Sequence, residues 1–367
     1  MSIISYEEFM IINNGKRLFK LFPKDLKCYD IQYEENKTFY VENFTDKECQ
    51  DGIHFTSINN LFMWIHNGLS AYYICEIIPD KNAKYVVYKH KIKTNVCNVG
   101  KLHAINNNII EILHKNFEIT KEELDLYNNV KYIYGYRIIH INNVQYLHKE
   151  IGLSIEDFRL DNNHALIEAC FFGHIDIVQY LHKEIGLTKK DFQSNYNQVC
   201  KMAFQKEYID IIKYLHQEVG FTKKNFQKHN NILYLCAYCY YGNIDIVKYL
   251  HENLGLTKED FQSDSYSVCK IWCNREHLDF VKYLHQVIGV TKEDFKKYNN
   301  HICCQSCYFG HLDVIKYLHA EVGLTKEDFN LAYAYAHENN HANIIEYLNN
   351  NFDIELSKKS TGTNTVT

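Results

Sequence analysis

The chain has 367 residues, 46% hydrophobic and 23% charged, with 40 basic against 45 acidic side chains and a formal charge of −5. This composition allows a large core, and it excludes a disordered chain and a strongly basic nucleic-acid binder that gains affinity by counterion release. Two Pro and 15 Gly argue against collagen-like, linker-rich or many-turned β architectures, and an odd total of 13 Cys predicts free thiols rather than a disulfide framework.

Residues 1–98 read as a small α+β domain. Tyr29–Tyr33 and Lys37–Val41 alternate like short strands, Ser57 caps a helix running to His66, and Tyr72–Ile78 and Tyr85–Ile92 are further strand candidates joined through Pro79–Asn82. Glu7 and Glu8 interrupt the first apolar stretch, so no secretory leader is expected. No apolar run reaches about 18 residues, so no membrane-spanning helix is expected either.

From residue 99 to 356 the chain repeats. Tyr-Leu-His starts at Tyr146, Tyr180, Tyr214, Tyr249, Tyr283 and Tyr317, in steps of 34, 34, 35, 34 and 34 residues. Such a period predicts an array of about eight stacked units, each burying its face against its neighbours. In one unit, Ala165–Phe172 is an apolar helix ended by Gly173, which accepts the left-handed conformation of a helix C-terminus. Asp176 opens a second helix with an apolar stripe of Ile177, Val178, Tyr180 and Leu181. Gly186 ends it, and Leu187 packs back. Thr188 and Asp191 then make a capping box for one short turn ending at Phe192. The box recurs at Thr257/Asp260, Thr291/Asp294 and Thr325/Asp328, and Thr222/Asn225 departs from it. Residues 357–367, rich in Lys, Ser, Thr and Gly, read as a disordered tail.

Gly173-His174-Ile175-Asp176-Ile177-Val178 and Gly310-His311-Leu312-Asp313-Val314-Ile315 resemble the ankyrin repeat. Tetratricopeptide repeats share the period but want a Pro in each unit, and none follows Pro79. The resemblance implies a mainly α fold: an ankyrin-like helical-repeat solenoid behind the small α+β domain. The segments Asp51–Thr56, Tyr72–Pro79 and Lys91–Asn95 resemble the leading domain of ankyrin-repeat proteins of amoeba-infecting giant viruses. That resemblance implies a viral, monomeric protein in the host cytoplasm that binds a protein partner and neither nucleic acid nor membrane. The alternatives are a substrate-recruiting adaptor of a ubiquitin ligase and an enzyme seated in residues 1–98.

By the same resemblance, the two residues before each inter-helix Gly face the concave groove. These are Phe171 and Phe172, Tyr240 and Tyr241, and Tyr308 and Phe309; the intervening units carry Gln205 and Lys206, then Asn274 and Arg275. With helices about 8–10 Å apart, the aromatic steps recur about every 20 Å. Aromatic anchors alternating with polar groups suit a protein-binding groove, while core packing of the same rings is the competing reading.

Cys236/Cys239 and Cys304/Cys307 are spaced like zinc or redox pairs. However, Cys170, Cys239, Cys273 and Cys307 share a repeat column with Phe204, and Cys200, Cys269 and Cys303 share another with Leu166 and Leu235. Columns that accept Leu, Phe or Cys are core columns, so no metal site or cofactor is expected. His114, His148, His182, His216, His251, His285 and His319 recur with the unit and read as scaffold. His54 and Glu76 are the one pair in residues 1–98 that could serve an acid–base reaction, against a bland reading as a strand-borne His beside a structural carboxylate.

Overall fold

The computed structural model describes residues 2–47, 52–66, 72–105, 109–124, 140–227, 244–262, 278–352 and 354. The chain divides into two units, Met1–Asn195 and Tyr196–Thr367.

The first unit begins with helix α1 (Tyr6–Asn13), started by a capping box in which Ser5 Oγ accepts the Glu8 N–H and Glu8 accepts the Ser5 N–H. Strand β1 (Leu18–Phe22) follows, with all five residues buried. It lies between β5 (Ile53–Ser57) and β6 (Tyr73–Ile78), both antiparallel to it. β8 (Ile92–Thr94) and β7 (Tyr85–Val87) extend the sheet beyond β5. β9 (Val96–Val99) and β4 (Thr38–Tyr40) extend it beyond β6, and His103–Ala104 also pairs with β6. A separate hairpin joins β2 (Lys27–Cys28) to β3 (Ile31–Gln32).

The stretch Tyr85–Ile92, expected as one strand, is a hairpin. Tyr88 N–H donates to the Lys91 carbonyl at 2.9 Å and reverses the chain, so the apolar residues on both sides serve two strands. Helix α2 covers Ile58–His66 as expected, while Ser57 ends β5. Phe9, Phe22, Tyr33, Phe55 and Tyr85 form the heart of the core, with Phe9 and Tyr85 stacked at 4.2 Å.

Arg17 ties this sheet to the first repeat helix, Ile109–Phe117. It makes a two-point ion pair with Glu76, 2.7 Å at each contact, and donates to the Phe117 carbonyl. Phe19 packs edge-on to the Phe117 ring at 5.3 Å. The apolar end of the first repeat helix is thereby covered by the sheet, as the end of a repeat array requires.

The repeat units have the predicted anatomy. Helix Leu160–Phe172 ends at left-handed Gly173, and helix Ile175–Lys183 buries Ile177, Val178, Tyr180 and Leu181. Leu187 is buried and its N–H donates back to Leu181. Complete capping boxes occur at Ser154/Asp157, Thr188/Asp191, Thr291/Asp294 and Thr325/Asp328. At Thr222, the Asn225 side-chain oxygen accepts both the Thr222 N–H and hydroxyl at 2.9 Å, so the departure in sequence keeps the geometry.

The short turn expected after each box is found only in some units. Positive φ at Asp161, Asn162 and Asn163, and at Asn195, separates the turn from the next helix. Lys292–Phe309 and Lys326–Glu338 instead run straight through as single helices. Asp and Asn tolerate the left-handed region better than other non-Gly residues, which lets them hold the break in those units.

Glu207 occupies the place of Gly173 and Gly310 and holds φ 59°. A side chain there strains a backbone that Gly would leave relaxed. Glu207→Gly is expected to stabilise the protein by about 1 kcal/mol. Calorimetry should show a raised melting temperature; an unchanged or lowered one would remove strain at this cap as an explanation.

Candidate functional site

The recurring His and Tyr meet each other between adjacent repeats. In the first unit, His114 Nδ1 shares a hydrogen bond with the Tyr146 hydroxyl, and His148 with Tyr180, both at 2.9 Å. In the second unit the pairs are His216–Tyr249, His251–Tyr283, His285–Tyr317 and His319–Tyr347, at 2.8 to 2.9 Å. Burial raises the hydroxyl pKa of Tyr180, Tyr249, Tyr283 and Tyr317, and that of Tyr214 to about 12. Each of these six His bonds to the next repeat's Tyr, which places these imidazoles in the scaffold. Tyr317→Phe leaves the His285 nitrogen without its bond and is expected to cost about 1 kcal/mol. Urea unfolding checks this; a midpoint equal to wild type would count against it.

A second inter-repeat series joins the capping turns. Lys121 pairs with Asp157 at 2.7 Å and Arg159 with Asp191 at 2.9 Å. Lys223 pairs with Asp260, Lys258 with Asp294, and Lys296 with Asp328. Burial alone would push Asp157, Asp191, Asp260 and Asp328 up. The basic partners and the capping Ser or Thr outweigh it and hold all four below the ordinary carboxylate range.

The described cysteines of the repeats lie in the packed interior. Cys170, Cys200, Cys303 and Cys307 are fully buried, as are Leu166 and Phe204 in the same repeat columns. Burial pushes the Cys304 thiol up to about 11 and raises Cys170 and Cys307 further, which disfavours the thiolate needed for metal or redox chemistry. Cys236, Cys239, Cys269 and Cys273 lie outside the described residues, as does Leu235.

The structure separates His54 from Glu76. They stand on β5 and β6, on either side of β1 and two residues out of register, so their backbones are about 12 Å apart at ordinary strand spacing. Glu76 is engaged by Arg17, and the His54 ring lies 5.9 Å from the Tyr29 ring.

The aromatic pairs sit on the last turn of the first helix of their repeats. Phe171 and Phe172 are half-buried and meet edge to face at 4.8 Å. Tyr308 and Phe309 meet at the same distance and are 43% and 39% exposed. Gln205 is half-buried and Lys206 exposed. Tyr240, Tyr241, Asn274 and Arg275 lie outside the described residues.

Two neighbours escaped the sequence reading. Tyr335, from the next repeat, meets the Tyr308 ring edge-on at 6.4 Å, and Leu331, one helical turn away, is 51% exposed. Neither falls in the column of the aromatic pairs, so periodicity carries no signal for them. Tyr335 thereby extends the Tyr308–Phe309 step onto the next repeat.

Among the described residues no helix is long and apolar enough to cross a membrane. Family models match two segments of the chain: residues 16–111 match a domain of unknown function, DUF7666, and residues 166–264 match ankyrin repeats in three copies. No curated protein matches the chain. The chain thus carries ankyrin repeats at residues 166–264, behind a segment similar to a domain family whose function is not known.

Proposed function

We propose that the repeat array is a non-catalytic protein-binding module whose anchors are the aromatic pairs, with Phe171 and Phe172 in one repeat and Tyr308 and Phe309 in another. Partial exposure of paired rings on one turn carries this reading: Tyr308 and Phe309 retain about two-fifths of their surface in water. Rings that served only the core would be closed off, as Phe204 and Phe329 are. Exposed aromatic side chains give large contact areas at low entropic cost, which favours their use as hot spots. Gln205 and Lys206 put polar residues in the same column of an intervening repeat, and Tyr240, Tyr241, Asn274 and Arg275 continue the pattern in sequence. The finer reading is of a monomeric viral protein engaging a host-cell protein in the cytoplasm.

The test is affinity capture with the full chain, comparing wild type with the variant Phe171→Ala, Phe172→Ala, Tyr308→Ala and Phe309→Ala. At about 2 kcal/mol for a buried aromatic anchor, loss of two or more is expected to weaken binding by at least a hundredfold. The variant should lose partners that wild type retains, with an unchanged melting temperature. Equal capture by both would sink the proposal.

A further inference from the structure

The sheet region of the first unit contains a pocket of about 390 Å³, a size suited to a small organic molecule. Its wall includes Lys20 from the central strand β1, Tyr33, His54, Met63 and Trp64 from helix α2, and Tyr29 from the β2–β3 hairpin. Lys20 is only 4% exposed. Its ammonium donates to the His54 carbonyl at 2.9 Å and otherwise faces aromatic rings, 4.9 Å from Tyr33 and 5.2 Å from Phe22. No carboxylate among the described residues is paired with it.

A buried ammonium is costly unless it is paired and hydrogen-bonded. One backbone carbonyl accepts one of its three N–H groups, and ring faces offset part of the remainder. Burial accordingly holds Lys20 below its ordinary pKa. The pocket wall thus holds an amine hydrogen-bonded to one carbonyl among aromatic and thioether groups, and a bound anion beside it would favour its charged form. Lys91 contributes a second basic side chain to the wall, and the wall contains no Asp or Glu among the described residues.

We propose that this pocket binds a small planar aromatic carboxylate, with the carboxylate on the Lys20 ammonium and the ring system against Tyr29, Tyr33 and Trp64. The carboxylate supplies the acceptors that the strand environment withholds from Lys20. The flat apolar body matches the aromatic wall. A polyanion such as a nucleoside triphosphate fits the pocket poorly, because one buried lysine and one flanking lysine offer too few donors, with no Gly-rich loop to add backbone N–H groups.

Met63 supplies the reporter. The full chain is labelled at its methionine methyl groups, and the Met63 signal is assigned from the Met63→Leu variant. Titration with naphthoate is expected to move the Met63 methyl resonance saturably, while inorganic phosphate leaves it in place. The uncharged naphthamide should bind at least about tenfold more weakly, the loss of one charge-assisted hydrogen bond. Lys20→Met, similar in length and without charge, should abolish the preference for naphthoate over naphthamide. The comparison of the two ligands on wild-type protein needs no variant, so it decides the matter even if Lys20→Met fails to fold. An unmoved Met63 signal at millimolar naphthoate, or equal affinity for acid and amide, would overturn the proposal. A response to phosphate alone would reassign the pocket to inorganic anions.

Discussion

Replacing Asp191 by Ala is expected to destabilise the protein by about 2–3 kcal/mol, whereas Asp191→Asn should cost only about 1 kcal/mol. Asp191 performs two tasks at once. Its carboxylate accepts the Thr188 N–H and hydroxyl at 2.7 and 2.9 Å, closing the capping box, and it receives both arms of the Arg159 guanidinium at 2.9 and 3.0 Å. Ala removes both sets of bonds and leaves the nearly buried turn short of acceptors. Asn retains the cap and loses the charge, as the chain itself does at Asn225, whose side-chain oxygen caps Thr222. Arg159 is about one-third exposed, so solvent screens its attraction, and the charge is expected to matter less than the cap.

Urea unfolding of the full chain followed by circular dichroism measures the two losses. Equal destabilisation by Ala and Asn would show that the charge, not the cap, is what Asp191 provides. The same carboxylates set the acid response. Their folded pKa values lie below the unfolded value of about 3.9, so their contribution is complete above that pH. It is lost as the pH falls through the depressed folded values. Asp157, Asp191, Asp260 and Asp328 should therefore make stability decline below about pH 4.

Gly310→Ala is expected to cost about 2–3 kcal/mol, against about 1 kcal/mol for Gly323→Ala. Both glycines end helices with φ near 80°, so a side chain strains the backbone at either place. They differ in what the new methyl meets. At Gly310 a Cβ falls 2.7 Å from the His341 ring, and at Gly323 nothing lies within 4 Å. The His341 ring is held by its hydrogen bond to the Tyr308 carbonyl at 2.8 Å, so relieving the overlap breaks that contact between adjacent repeats. The difference between the two variants isolates the steric part of the loss from the conformational part. Calorimetry of both should show the larger drop in melting temperature for Gly310→Ala; matching drops would mean that His341 yields without cost.

The repeat was legible because its physical requirements recur at fixed spacing. Gly173 and Gly310 mark helix ends, Thr188 and Asp191 mark a helix start, and the Ile-Val-Tyr-Leu stripe marks the buried face. Each is a local requirement of backbone or burial that one residue type meets best. The burial of Cys170, Cys200 and Cys307 was also legible, because Leu and Phe occupy the same columns in other repeats. In the first domain the signals were weaker. The buried strand Leu18–Phe22 shows no alternation because both of its faces are covered, and the Tyr88–Lys91 turn lacks Gly and Pro, so nothing in its composition marks the reversal.

The sequence by itself determined the period, the order of helices within a repeat, the helix caps and the apolar columns, because each depends on residues close together in the chain. Tertiary structure decided which partners those residues take. It joined His285 to Tyr317 and Arg159 to Asp191 across repeats, separated His54 from Glu76 by a strand, added Tyr335 to the Tyr308 step, and enclosed Lys20 in a pocket. Those placements join different strands or different repeats, where strand order and the packing of neighbouring repeats, not local spacing, set what can touch.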